Sequence, residues 1–213
     1  MSDTLAQLVA KLQALLLDDG TNFTTATCTA AIRQALKDLN FAVPAHAADV
    51  VAAVAEQYEY ELEESSALQI VDVLRRGTDT YADYNISLNF DAYFEHDRPF
   101  YRLHAPEADG TYLIVRYTLP YTINGLDSET SSTLPALYDV VLLDGAAWQA
   151  CLVRAAGRIE TINMNEEVSK NFRLMAEHFK LAFELGLARL GLRRAPVGEP
   201  DQRAWNDEWH GWS

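Results

Sequence analysis

The apolar positions change rhythm twice along this chain. Leu5, Leu8, Val9, Leu12, Leu15 and Leu16 recur at helical spacing and form one stripe. Asp3 or Thr4 is placed to cap that helix, and Asp18-Asp19-Gly20 to stop it. Phe23-Thr24-Thr25-Ala26 leads into a second helix, whose apolar face is Cys28, Ala31, Ile32, Ala35, Leu36 and Leu39. Pro44 closes it, since proline cannot continue the hydrogen-bond ladder. The period then falls to two. Tyr58 to Leu62 alternates, Leu68 to Leu74 is strand-like, and Ile86, Leu88 and Phe90 alternate with Ser87 and Asn89. Phe100–His104 and Thr111–Tyr117 flank Pro106 to Gly110, which predicts a hairpin. Residues 45–55 suit either state, with alanines for a helix and valines for a strand. Helical spacing returns after the polar stretch 126–136. One helix is predicted from about Ala136 to Asn163, lined by Gly145, Ala146, Ala147, Ala150, Ala155, Ala156 and Gly157. A last helix is predicted from about Glu166 to Leu190, with Phe172, Met175, Phe179, Phe183 and Leu187 in a stripe.

These elements predict an α+β fold. An N-terminal helix pair (1–44) and a long C-terminal helix pair with its preceding loop (126–190) form one bundle. An antiparallel sheet or sandwich is inserted between them (45–125), and an extended tail follows (191–213). Small residues along the third helix permit close helix–helix approach.

Charge adds a second division. The chain has 213 residues, with 17 Lys and Arg against 31 Asp and Glu, a formal net charge of -14. Residues 41–145 alone hold 5 basic and 18 acidic side chains, and the flanking segments are close to neutral. Such a balance argues against a protein that grips nucleic acid over a broad surface, which needs a Lys/Arg face to displace counterions. A hydrophobic content of 49% is ample for a core. The two cysteines, Cys28 and Cys151, make no disulfide framework and no zinc signature. No basic leader opens the chain, and no uninterrupted run of about 18 apolar residues occurs, so no membrane span is expected.

Motifs that carry chemistry are few. There is no phosphate-binding glycine loop, no nucleophile elbow and no H-E-x-x-H. His96, Asp97, His104 and Glu107 are the best metal-like group, but read more simply as polar residues at a strand end and a hairpin tip. Asp79, Asp83, Asn85, Asp91 and Asp97 lack the ligand spacing of a calcium loop and read as a solvated acidic rim. His46 and His178 read as surface or capping residues, and both cysteines as small core residues. The motifs Asn22-Phe23-Thr24 and Asn85-Ile86-Ser87 carry no weight without a secretory signal. One feature stands out. Trp205, Trp209 and Trp212 are spaced i, i+4, i+7 after the breakers Pro196, Gly198 and Pro200. Three indoles on so short a segment must fold back on their own domain or dock on a partner.

The order of these parts resembles the head-to-tail connector (adaptor) family of long-tailed bacteriophages. The resemblance rests on Leu15 to Leu17, Phe23, Ala31, Leu36 and Pro44, then on Tyr117, Thr122 to Leu126, Thr133-Leu134-Pro135 and Gly145-Ala146-Ala147. It covers roughly residues 1–190, and the β insertion here is longer than in compact members. It implies a structural virion protein that is not an enzyme and needs no cofactor or metal. About a dozen copies would form a ring between the portal protein and the tail, or a tail-completion protein, continuing the DNA channel. DNA would pass without specific binding, no membrane would be involved, and assembly would take place in the host cytoplasm. By the same resemblance, Trp205, Trp209 and Trp212 would dock on the portal. Asp127, Ser128, Glu129 and Thr130 would form a contact loop. Alternatives are another neck or tail-completion protein, a small metal-dependent hydrolase built on His96 and His104, and a soluble homo-oligomeric binding module.

Overall fold

A computed structural model describes residues 3–18, 20–76, 85–159 and 166–194. Among these, four α-helices and two antiparallel sheets make an α+β fold. The chain divides into two compact units. A helical unit takes Met1–Val43, Asn124–Ser128 and Leu134–Ser213, and a β unit takes Pro44–Ile123 and Glu129–Thr133.

In the helical unit, α1 (Leu5–Leu15) starts at Thr4, not Asp3. Thr4 accepts from the Gln7 backbone N–H at 3.4 Å, and Gln7 Oε1 accepts from the Thr4 N–H at 2.8 Å. This reciprocal box satisfies two donors that a helix start leaves free. The Asp18 carboxylate holds the next turn, accepting from the N–H groups of Gly20, Asn22 and Phe23. Gly20 supplies the positive φ of 93° that this turn needs. α2 (Thr25–Ala42) buries all six residues of its predicted face. A 3-10 turn (Ala136–Tyr138) leads into α3 (Asp139–Ile159), and α4 (Glu166–Arg194) returns along it. Residues 160–163, the end predicted for the third helix, lie outside the described residues.

Two glycines set how closely the helices pack. A Cβ at Gly145 of α3 would stand 2.8 Å from the Phe183 ring of α4 and 3.1 Å from Ala35 of α2. A Cβ at Gly186 of α4 would stand 2.8 Å from a Val141 methyl of α3. α3 is therefore the core helix of this unit. Residues 136–156 are long and apolar enough, by length and composition, to cross a membrane, with a mean hydropathy of 1.4. Leu142, Ala146, Ala147, Ala150 and Cys151 of that stretch are buried against the other helices, while Leu137, Val140 and Val153 are exposed. The predicted stripe on α4 is shifted. Its buried and half-buried line is Ser169, Phe172, Ala176, Phe179, Phe183, Gly186 and Leu190, while Met175 is exposed. Steps of three and four keep one seam on a partner helix, and residue 176, not 175, falls on that seam.

The β unit holds a four-stranded sheet in the order β1 (Ala45–Ala52), β7 (Tyr112–Leu119), β3 (Gln69–Arg76), β4 (Asn85–Ser87). Its second sheet has the order β2 (Glu59–Glu61), β6 (Arg98–Leu103), β5 (Phe90–Glu95). Ile70, Val73, Leu113, Val115 and Tyr117 of the first sheet and Tyr60, Tyr101 and Leu103 of the second close one core. The ambiguous segment 45–55 is thus a strand over Ala45–Ala52, and its inner face is half-buried at every second residue. A bulge between Ile70 and Asp72 resets the alternation of β3, so that Ile70 and Val73 both point inward.

Two predictions about pairing fail. The alternating run Ile86, Leu88, Phe90 is not one strand. The chain changes sheets at Leu88-Asn89, where the Leu88 N–H donates to Val73 and Asn89 accepts from His104. The predicted hairpin Phe100–His104 with Thr111–Tyr117 is also not formed. β6 pairs with β2 and β5, while β7 pairs with β1 and β3. The Pro106–Gly110 stretch is therefore a crossing between sheets. A true hairpin joins β5 to β6 instead, with Glu95 opposite Arg98 and His96-Asp97 as its two-residue turn. Both turn residues have positive φ, 49° and 63°, as the twist of such a hairpin demands.

Candidate contact surfaces

The metal-like group comes apart in the structure. His96 and Asp97 are the exposed tip of the β5–β6 hairpin. His104 Nε2 lies 3.2 Å from Asp91 Oδ2, and Glu107 accepts from Arg75 Nη1 at 3.2 Å. No group of three or more His, Cys, Asp or Glu side chains converges on a metal position among the described residues. Asp79 and Asp83 lie outside those residues. Both thiols are buried, and desolvation raises them above the ordinary thiol range, Cys151 to about 11. Neither is poised as a thiolate nucleophile. His46 and His178 are exposed.

The polar loop is braced at both ends. Arg33 of α2 clamps Asp127, with Nε at 2.8 and 3.1 Å from the two carboxylate oxygens and Nη2 at 2.7 Å from Oδ1. The guanidinium holds the Asp127 carboxyl below its usual range. Asp127 and Ser128 both take positive φ, 53° and 71°, which turns the chain sharply there. Further on, the Thr122 N–H donates to Thr133 Oγ1 at 2.8 Å, and Thr122 Oγ1 donates to the Ser131 carbonyl at 3.1 Å. Asp127 is thus committed to α2, while Ser128, Glu129 and Thr130 stay exposed. The sequence pattern gave no sign of the Arg33 clamp, because its partners are 94 residues apart. Trp205, Trp209 and Trp212 lie outside the described residues.

A carboxylate pair sits at the start of α3, where sequence reasoning assigned nothing. Asp139 is 7% exposed, and its Oδ1 has no hydrogen-bond partner among the described residues. Burial first, and then the neighbouring Asp3 carboxyl, push Asp139 up to about 6. Lys11 forms an ion pair with Asp3 and holds that carboxyl low. The pair therefore keeps one proton at a pH where an exposed aspartate has lost it.

The two units carry charge unequally. The β unit holds 5 basic and 15 acidic side chains, and the helical unit 12 and 16. Asp127, Asp139 and Asp144, counted with the acidic middle by sequence position, belong to the helical unit. Most of the acidic excess still lies on the β unit. Burial raises Asp144 above the ordinary carboxylate range. It lines an apolar groove of about 370 Å³ between α3 and α4, with Leu137, Val140, Leu185, Arg189 and Leu190.

Solved structures similar to this chain at low identity include three from gene transfer agent particles. One, described as the virion of a native gene transfer agent particle, is 10% identical over 81% of this chain and 89% of that one, with a TM-score of 0.32. One described as the neck of an empty particle computed with C6 symmetry is 9% identical, covers 78% and 88%, and has a TM-score of 0.31. One described as the neck of a native particle computed with C12 symmetry is 12% identical, covers 78% and 87%, and has a TM-score of 0.27. No curated protein matches. The family model of the SU10 adaptor protein, in contrast, matches residues 3–204, through both helix pairs, the β unit and part of the tail. The chain belongs to the SU10 adaptor protein family.

Proposed function

We propose that this chain is a head-to-tail adaptor of the virion neck, a structural protein that forms a ring between portal and tail and continues the DNA channel. The family match over residues 3–204 carries the reading. The charge distribution supports it. Acidic groups beside a duplex repel it over about one Debye length, ~8 Å at physiological salt, so DNA slides past without being held. A β unit with 15 acidic and 5 basic side chains suits a wall that DNA passes.

In this reading the tail carrying Trp205, Trp209 and Trp212 docks on the portal protein, and Ser128, Glu129 and Thr130 with Asp127 form a loop that meets a neighbour. Asp127 serves there by bracing the loop on Arg33, leaving contact to the next three residues. Imaging of purified particles by electron microscopy, with this chain labelled, tests the reading. Density at the portal vertex is expected, and density elsewhere in the particle would overturn it. Deleting residues 200–213 tests the docking role separately. Loss of the chain from portal-bearing heads is expected, and unchanged attachment would refute that role.

A further inference from the structure

Among the described residues, the helical unit leaves a large aromatic side chain and an apolar groove with nothing packed on them. Phe41, in the last turn of α2, is 92% exposed. In the groove between α3 and α4, Leu137, Val140 and Leu185 are all more than half exposed. Scattered apolar residues on a surface need no explanation, but a concave apolar patch does. A volume of about 370 Å³ falls in the size range of sites that enclose a ligand, and accommodates an aromatic ring.

The polar residues of the two features are complementary. Lys37 lies one turn before Phe41 on the same exposed face of α2. Asp38 lies three residues before Phe41, its carboxylate accepting from Gln34 at 3.0 Å. The groove offers the opposite pair, Asp144 and Arg189, at its apolar lining. Asp144 is half-buried and desolvated, so a lysine brought to it gains more than on open surface.

We propose that Phe41 of one copy seats in the α3–α4 groove of the next, with Lys37 facing Asp144 and Asp38 facing Arg189. The occupant is a second copy of this chain. Knob and groove are separate surfaces, so after a single contact one copy keeps its groove free and the other its knob. A contact of this kind is heterologous, and repetition closes it into a ring or extends it into a filament. The inference rests on the self-association part of the function proposed above and names the surfaces that would carry it.

Crosslinking of the full chain tests it. Phe41→Cys and Leu185→Cys are combined, and concentrated protein is oxidised. The native Cys28 and Cys151 are buried, and the two single variants control for them. A ladder of disulfide-linked multimers is expected from the double variant, and a dimer alone from a mixture of the single variants. Lys37→Glu should slow linkage about fivefold or more, and Asp144→Lys in the same chain should restore it. Absence of multimers overturns the proposal, as does a product within one chain. A link from Leu185→Cys to Trp205→Cys of the same chain would assign the groove to the chain's own C-terminal segment and likewise overturn it. None of these outcomes bears on where the chain sits in particles, so the neck reading stands or falls by imaging.

Discussion

The helical unit and the β unit close their cores by opposite means. At the centre of the first, side chains are missing. Gly145 and Gly186 let α3 and α4 approach until a single added carbon would collide, and Ala35, Ala146, Ala147 and Ala150 keep the surrounding space small. In the second, aromatic rings occupy the core. Tyr60 and Tyr101 sit opposite each other on β2 and β6, with ring centroids 5.3 Å apart and planes within 13°. Tyr117 reaches the inward Asp49 carboxylate from its hydroxyl at 3.0 Å. Burial, and then that carboxylate, push the Tyr117 hydroxyl up to about 12. The contrast teaches where each unit is vulnerable. A core of small residues fails by overfilling and by loss of its few large side chains. A tyrosine core carries hydroxyls that must find partners, and one of them does not. Tyr101 Oη is buried with no hydrogen-bond partner among the described residues.

Substitutions sharpen or break this contrast. The largest effect is expected at Phe183, which fills the space that Gly145 leaves. Phe183→Ala should cost about 3–5 kcal/mol in denaturant unfolding. A cost below about 1 kcal/mol would mean that the glycine contact does not organise this unit. Gly145→Leu follows, at about 1–3 kcal/mol from overpacking, partly offset by better helix propensity. Circular dichroism melts would reveal the loss, and an unchanged Tm would break the comparison.

Asp139→Asn comes next and is read by pH. The folded carboxyl titrates near 6 against an ordinary 3.8. The folded state therefore holds a proton that the unfolded chain has released between those values. Stability from this group is highest below about pH 4 and falls as pH rises toward 6. Asp3, held low by Lys11, acts in the opposite sense and loses its contribution only as pH falls below its ordinary range. Asp139→Asn should flatten the decline between pH 4 and 6 and raise stability at pH 7 by about 1–2 kcal/mol. A parallel decline in wild type and variant would exclude the pair as its source. Thr4→Ala should cost about 1 kcal/mol through the lost capping box. The smallest effect is expected in the β unit. Tyr101→Phe removes an unpaired buried hydroxyl and should leave stability unchanged or raise it by up to about 1 kcal/mol. A clear loss would show that the hydroxyl has a partner, such as a bound water.

What the sequence made legible follows from the range of the interactions involved. α1, α2 and the buried face of α2 could be read because helical periodicity and capping are local. The α+β class followed from the change of period. Strand pairing departs from the local pattern where it depends on distant segments. Pro106–Gly110 has the composition of a hairpin turn, yet β1 and β3 had already claimed both edges of β7. The true hairpin turn, His96-Asp97, carries no glycine and so looked like chemistry. In the candidate contact surfaces, composition pointed to the acidic loop and the tryptophans. It could not locate Arg33 against Asp127, Asp3 against Asp139, or the groove beneath Val140 and Leu185, because each joins residues far apart in the chain.

The division of the chain between the units has a consequence for the order of events during synthesis. The β unit is almost one continuous stretch, Pro44–Ile123, and can close its core soon after that stretch leaves the ribosome. The helical unit cannot. Ala35 waits for Gly145, Asn22 for Arg154 and Phe23 for Phe172, across more than a hundred residues not yet made. The nascent chain thus presents α1 and α2 with their apolar faces bare while the β unit forms behind them. Net acidity on the segment that folds first keeps neighbouring nascent chains apart during that interval.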